Sequence, residues 1–388
     1  MSTPFEAAIA AIDAGECDEL RSLLEANPGL IRERAPYEGR PYDGYFHRAT
    51  LLHHCAGNPT RDRVPGNIVD IARTLLGCGA EVDAATEFRE GWNWTTLGLV
   101  ASSTPAAVEG FAEPMIDLLI EHGADVNWGD GINLYAAFFH TVECAGLREV
   151  ATMLHRRGAT LDLGYAAAVG DLDAMRRFLA DPGSAYTRYR PLANRFDKPS
   201  RRDVLDEALV FAAINTRVEA VDLLLENGAT LDGTAPIHAE RPTPMHAAAW
   251  SGSLEMVRHL LDAGADPRDR DAVHGSSVLG WADYLVRDEV RDFLLIDESH
   301  LDLRDAVMFG HLRRATELAE GVDVNDAIGG GDPGVLLREA AYRGHAGIVR
   351  FLLDRGADPG IANSEGRTAC DYARDQGHDE IAKVLDGA

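Results

Sequence analysis

Lysine is almost missing from this chain: among 388 residues only Lys198 and Lys383 occur, so nearly all positive charge is arginine. That bias is a mark of GC-rich coding and points towards a bacterial source. Bases of both kinds are also outnumbered, 37 Lys and Arg against 63 Asp and Glu, for a net charge of -26. A field of that sign repels polyanions, so neither nucleic acid nor an anionic membrane is expected as a partner. Cysteine is scarce as well. Cys17, Cys55, Cys78, Cys144 and Cys370 include no C-x-x-C pair, which argues against a disulfide framework and for a reducing compartment.

Other absences narrow the field further. No apolar run reaches the ~20 residues that span a bilayer. The first twenty residues carry no basic stretch ahead of their apolar ones, so no signal peptide is expected. A cytoplasmic, soluble protein is the expectation. No HExxH, GxSxG, Walker or Rossmann string occurs in its required context, and neither cofactor nor metal is called for. His53, His54 and Cys55 are adjacent, but three consecutive side chains cannot converge on one ion.

What is present is repetition. TPMHAAAWSGSLEMVRHLLDAGADP, Thr243 to Pro267, reads as a turn, a short helix, Gly, a second helix with Leu-Leu in its last turn, then Gly-Ala. Counting from His246, the inter-helix Gly falls at 252 and the Gly of Gly-Ala at 264; His140 repeats both intervals at Gly146 and Gly158. The same frame places His53, Gly98, Gly164, Val210, Gly280, Arg304, Arg338 and Asp371 at the His246 position. With an N-terminal unit around Ala7 to Leu24, about eleven units result, well above the ~3 a solenoid needs. Paired small residues such as Ala248 and Ala249 let first helices lie close together. Leu260 and Leu261, or Leu352 and Leu353, should fill the seam between units. With 46% hydrophobic residues there is material for a long continuous core.

The Thr-Pro-Met-His opening, the Gly-Ala ending and a period of ~33 residues resemble the ankyrin repeat. The resemblance implies an all-α solenoid of paired helices with finger turns. It also implies that His53, His140 and His246 bond the turns rather than catalyse. Four stretches depart from the period: Tyr37 to Arg48, Gly57 to Gly66, Ser102 to Pro114, and the basic, aromatic Ser184 to Arg202. The last suggests a joint that divides the array into two stacks, 1–184 and 203–388, around a linker at 185–202. Its arginines and aromatics suit nucleic acid in isolation, but the whole-chain charge opposes that, and it reads as a solvated loop.

Two sets of side chains are candidates for function. In the ankyrin family the two positions after the paired small residues face the concave groove. Here these include Trp250, Tyr284, Leu285, Met308, Phe309, Tyr342 and Arg343, the aromatic, Met and Arg types that anchor partners. Packing of these rings on one another is the plainer alternative. The second set lies in the N-terminal turns and their neighbouring helix starts: Tyr42, Tyr45, His47, His54, Asn58, Trp92, Trp94, Trp128 and Tyr135. These could wall a small-molecule pocket, with Tyr42, Tyr45, His47 and His54 as candidate catalytic groups. The leading expectation is a non-catalytic scaffold that grips a protein or peptide partner. A small-molecule binder or enzyme is the alternative.

Overall fold

The residues Thr243 to Gly264 show how one unit folds. In the computed structural model, Thr243 is extended and its side chain accepts the His246 backbone N–H, which opens the helix Pro244–Ser251. Gly252 ends that helix at φ 73°, and Ser253 caps the next, Leu254–Asp262. The structure describes residues 3–35, 46–57, 64–87, 93–129, 146–181, 200–234, 242–328 and 332–388, with the side chains of 146–148 excepted. The described residues are helical and form no β-strand; two isolated bridges, Ala85 to Thr95 and Arg270 to Ser277, mark finger turns.

The chain divides into two units, 1–198 and 199–388. The first contains Pro4–Ala14 with Cys17–Ala26, then the 3-10 segment Leu51–Ala56 with Ile68–Gly77, and Thr96–Ala101 with Ala112–Glu121. It continues with Gly146–Arg156 and the pair Leu163–Val169 and Leu172–Ala180. Among its described residues the second contains six helix pairs, from Arg201–Ile214 with Val218–Glu226 to Ala369–Asp375 with Asp379–Asp386. Between them lie Val278–Tyr284 with Asp288–Ile296, Leu303–Met308 with Leu312–Leu318, and Val335–Arg343 with Ala346–Asp354.

The small-residue pairs do what their size permits: Ala248, Ala249, Ala340 and Ala341 are fully buried between first helices. The leucine pairs divide the work unequally. Leu260 and Leu352 are fully buried, whereas Leu261 and Leu353 are only half-buried, so one leucine of each pair fills the seam and the other lies at its margin. Neighbouring residues on a helix are ~100° apart, which is enough to separate them. Ser102 to Pro114 also differs from a simple loop. Ser103 accepts the Ala106 N–H and starts an extra helix, Thr104–Val108, with Pro105 in its first turn.

Two of the motif histidines, His53 and His246, tie their finger to the next, while His140 lies outside the described residues. His246 Nδ1 lies 2.8 Å from Thr243 Oγ1, and its Nε2–H donates to the Ser276 carbonyl at 3.0 Å. His53 accepts from Thr50 and donates to the Trp94 carbonyl at 3.2 Å. Burial pushes both imidazoles down to about 4 against backbone acceptors that pull the other way, so both are neutral. In the next finger, Arg270 Nε–H donates to Asp302 at 2.8 Å, and Ser277 Oγ–H donates to the buried Asp305 at 2.7 Å. Burial, with Asp302 close by, lifts Asp305 to about 6.

Candidate functional site

The groove positions are held from behind by the following repeat. Arg287 Nε–H donates to the Trp250 carbonyl at 2.9 Å, His345 Nε2–H to Met308 at 3.0 Å, and His378 Nε2–H to Tyr342 at 3.2 Å. In the first unit Asn67 does the same for Gly15 at 2.8 Å. Each donor flanks the start of a second helix and satisfies a carbonyl at the end of the neighbouring repeat's first helix. Each packs where the inter-helix glycine has no side chain. A Cβ on Gly344 would stand 2.6 Å from the His378 ring, and one on Gly310 2.9 Å from His345. These residues were not among the sequence candidates. For the two histidines the signal was visible in the Gly-His pairs at 344–345 and 377–378.

On the open side, four of the predicted groove residues, Trp250, Tyr284, Leu285 and Tyr342, line two pockets. The larger, of about 480 Å³, is walled by Trp250, Trp281, Tyr284 and Leu285, with His274, Ser276 and Gly280 at its finger end. Its walls are mainly apolar. Trp250 and Trp281 meet edge to face, centroids 5.1 Å apart at 75°. Tyr284 beside them is 85% exposed. Trp281, absent from the sequence set, reaches this pocket from the helix face that the pattern assigns to the core.

The second pocket, of about 420 Å³, is more polar and is bounded by Arg304, Asp332, Arg338, Glu339, Tyr342 and Tyr372. Arg304 donates to Glu339 at 3.0 Å, and the buried Arg338 donates to the Pro333 carbonyl at 2.7 Å. Between the two pockets, Arg343 reaches back to Asp283 at 2.6 Å, with its guanidinium 5.7 Å from the centre of the Phe309 ring. Met308 and Phe309 are half-buried under this strap, while Tyr342 is exposed and meets Tyr372 edge to face at 6.1 Å. Ring-on-ring packing and an open face therefore coexist along the groove.

The second candidate set is only partly described: Tyr42, Tyr45, Asn58, Trp92 and Tyr135 lie outside the described residues. Of the others, His54 is buried and stacked on Phe46 at 5.2 Å, with the Phe5 ring at 6.3 Å. Trp94 is buried too, its backbone closing the turn with Thr86 at 2.9 Å. His47 and Trp128 are half-buried. No group of three or more His, Cys, Asp or Glu is placed to hold a metal among the described residues.

Stacked helix pairs, with Thr-His caps bonded to the following finger at His53 and His246, define a repeat-built array. Ankyrin repeats, in three copies, match residues 163–271 and 303–387, half of the chain, and the protein belongs to the ankyrin repeat family. It is 31% identical over 219 residues to the E3 ubiquitin-protein ligase XB3 of Oryza sativa subsp. japonica, covering 56% of this chain and 40% of that protein. It is 46% identical over 65 residues to the palmitoyltransferase Hip14 of Drosophila melanogaster, covering 16% and 10%. The ankyrin repeat protein nuc-2 of Neurospora crassa matches at 28% over 177 residues, covering 46% and 14%. The chain thus spans less than half the length of these curated relatives, whose names describe different activities. No helix among the described residues is long and apolar enough to cross a membrane.

Proposed function

We propose that this protein is an interaction scaffold whose second unit grips an extended or helical segment of a partner protein along the groove from Trp250 to Tyr342. The observation that carries this reading is that Trp250, Tyr284, Leu285 and Tyr342, all predicted groove residues, border two pockets of about 480 and 420 Å³, with Tyr284 and Tyr342 exposed. Large exposed aromatics beside apolar hollows are the usual form of an interface anchor. The array is taken as about eleven units in two stacks, with 185–202 as the joint; the division after Lys198 supports that placement.

Selection of a random peptide library on the immobilised full chain tests the reading. Enriched peptides should bind the wild type and lose about tenfold or more in affinity to a Tyr284→Ala, Tyr342→Ala double variant, a loss typical of hot-spot truncation. Peptides that bind both proteins equally, or a selection that enriches nothing, would refute the groove as the site.

A further inference from the structure

We infer that the pocket between Trp250 and Tyr284 is a seat for a cation, the guanidinium or ammonium group of a basic segment in the partner; this rests on the groove reading above. Three aromatic rings border it. Trp250 and Trp281 form a corner at 75°, and Tyr284 supplies a third wall that is open to solvent. Aromatic faces are electron-rich, and a cation enclosed by several of them is held more strongly than a neutral group of equal size.

The surroundings bias this corner towards positive charge. Trp281 Nε1–H donates to Asp271 Oδ2 at 3.0 Å, so a carboxylate stands behind the indole and pushes electron density onto its face. Asp271 is held in its ionised form: burial works against the charge, but the backbone N–H groups of His274, Ser276 and Val273 and the indole N–H outweigh it. His246 packs on the other side of Trp281 at 5.1 Å and is neutral, since burial outweighs its bond to Ser276. It therefore adds no competing charge. Arg287 stands nearby, but its Nε–H is directed onto the Trp250 carbonyl at the end of the helix, where a positive charge is expected. At longer range the net charge of -26 draws cationic segments and repels acidic ones.

An uncharged apolar anchor would use the same walls, so the probe must separate charge from shape. Choline and its neutral carbon isostere 3,3-dimethylbutan-1-ol differ in little else. Each is titrated into the full chain while the indole N–H signals are followed by NMR, followed by the N-acetylated, C-amidated pentapeptides Gly-Gly-Arg-Gly-Gly and Gly-Gly-Nle-Gly-Gly, where Nle is norleucine. The cationic member of each pair should bind about tenfold more tightly or better and shift the Trp281 Nε1–H. Both responses should vanish in Tyr284→Ala and weaken in Trp250→Leu. Asp271→Asn should weaken the cation selectively, and circular dichroism reports whether that variant keeps its finger turn. Equal binding of the charged and neutral probes would overturn the cation seat and leave the groove reading standing. Failure of all four probes to shift an indole signal would also overturn it, and the library selection above then decides separately whether the groove binds at all.

Discussion

The same register position does opposite work at Ser102 and Ser103 of the first unit and from Trp250 onwards in the second, where Ile214 and Asn215 are still buried. In the first, the groove positions Ser102, Ser103 and Ala168 are buried, and Ser103 Oγ–H is bonded to the Gly57 carbonyl of the preceding repeat at 3.0 Å. In the second, Trp250, Tyr284 and Tyr342 stand at equivalent positions and border pockets. The difference arises after the first helix. Ser103 begins an extra helix, so its hydroxyl and the residues beside it are consumed in holding that insertion against Gly57. Where such an insertion follows, a position that faces the groove by sequence register is buried. At Gly252, Gly310 and Gly344 of the second unit the chain instead turns at once.

If the seam is common to both units and only the groove differs, the largest effect should be the same on either side. Leu260→Ala and Leu75→Ala each remove a fully buried leucine and should cost ~2–5 kcal/mol in denaturant unfolding. Leu261→Ala, at the seam's margin, should cost clearly less than Leu260→Ala; equal losses would mean that the seam is drawn wrongly.

The motif histidines should also behave alike. In the unfolded chain they take up a proton near 6.5, whereas the folded imidazoles resist until about 4. Their contribution is complete above pH 6.5 and drains away as pH falls towards 4, by about 3 kcal/mol each. Denaturation at pH 7, 5.5 and 4 should show a flatter acid limb in His53→Asn and His246→Asn. An unchanged slope in either variant would remove that residue from the account.

The units should then part at the groove. Ser103→Ala deletes a helix cap and a buried bond, and a loss of about 1–2 kcal/mol is expected. Tyr284→Ala should change stability by less than about 0.5 kcal/mol, the range for exposed positions, while it weakens peptide capture. A stable Ser103→Ala protein or a destabilised Tyr284→Ala protein would erase the distinction between the units.

Much of this was legible because the repeat imposes it. The Thr-x-x-His cap, the inter-helix glycines and the aromatic run at 250, 284, 309 and 342 follow from spacing alone. What escaped depends on contacts made across repeats. Arg270, Asp302 and Asp305 resemble ordinary surface charges in sequence, yet they meet in a part-buried cluster because two fingers press together. Trp281 was hidden for a related reason. Its helix face belongs to the core, and only the small Gly280 and the open corner beside Trp250 let its ring border a pocket. Ser103 followed by Thr104 and Pro105 was a readable helix start, masked by the expectation of a loop.

The side chains that cross from one repeat to hold the previous helix end have a consequence for how such a chain can change. Three of these fasteners link residues 36 or 37 apart, but Asn67 reaches Gly15 across 52. The joint is made at its two ends and is indifferent to the length of chain between them. Added residues can therefore accumulate in the finger turns without unstitching the stack. An ankyrin array of this kind can lengthen one loop by drift, test it against new molecules, and keep its old grip elsewhere while it does so.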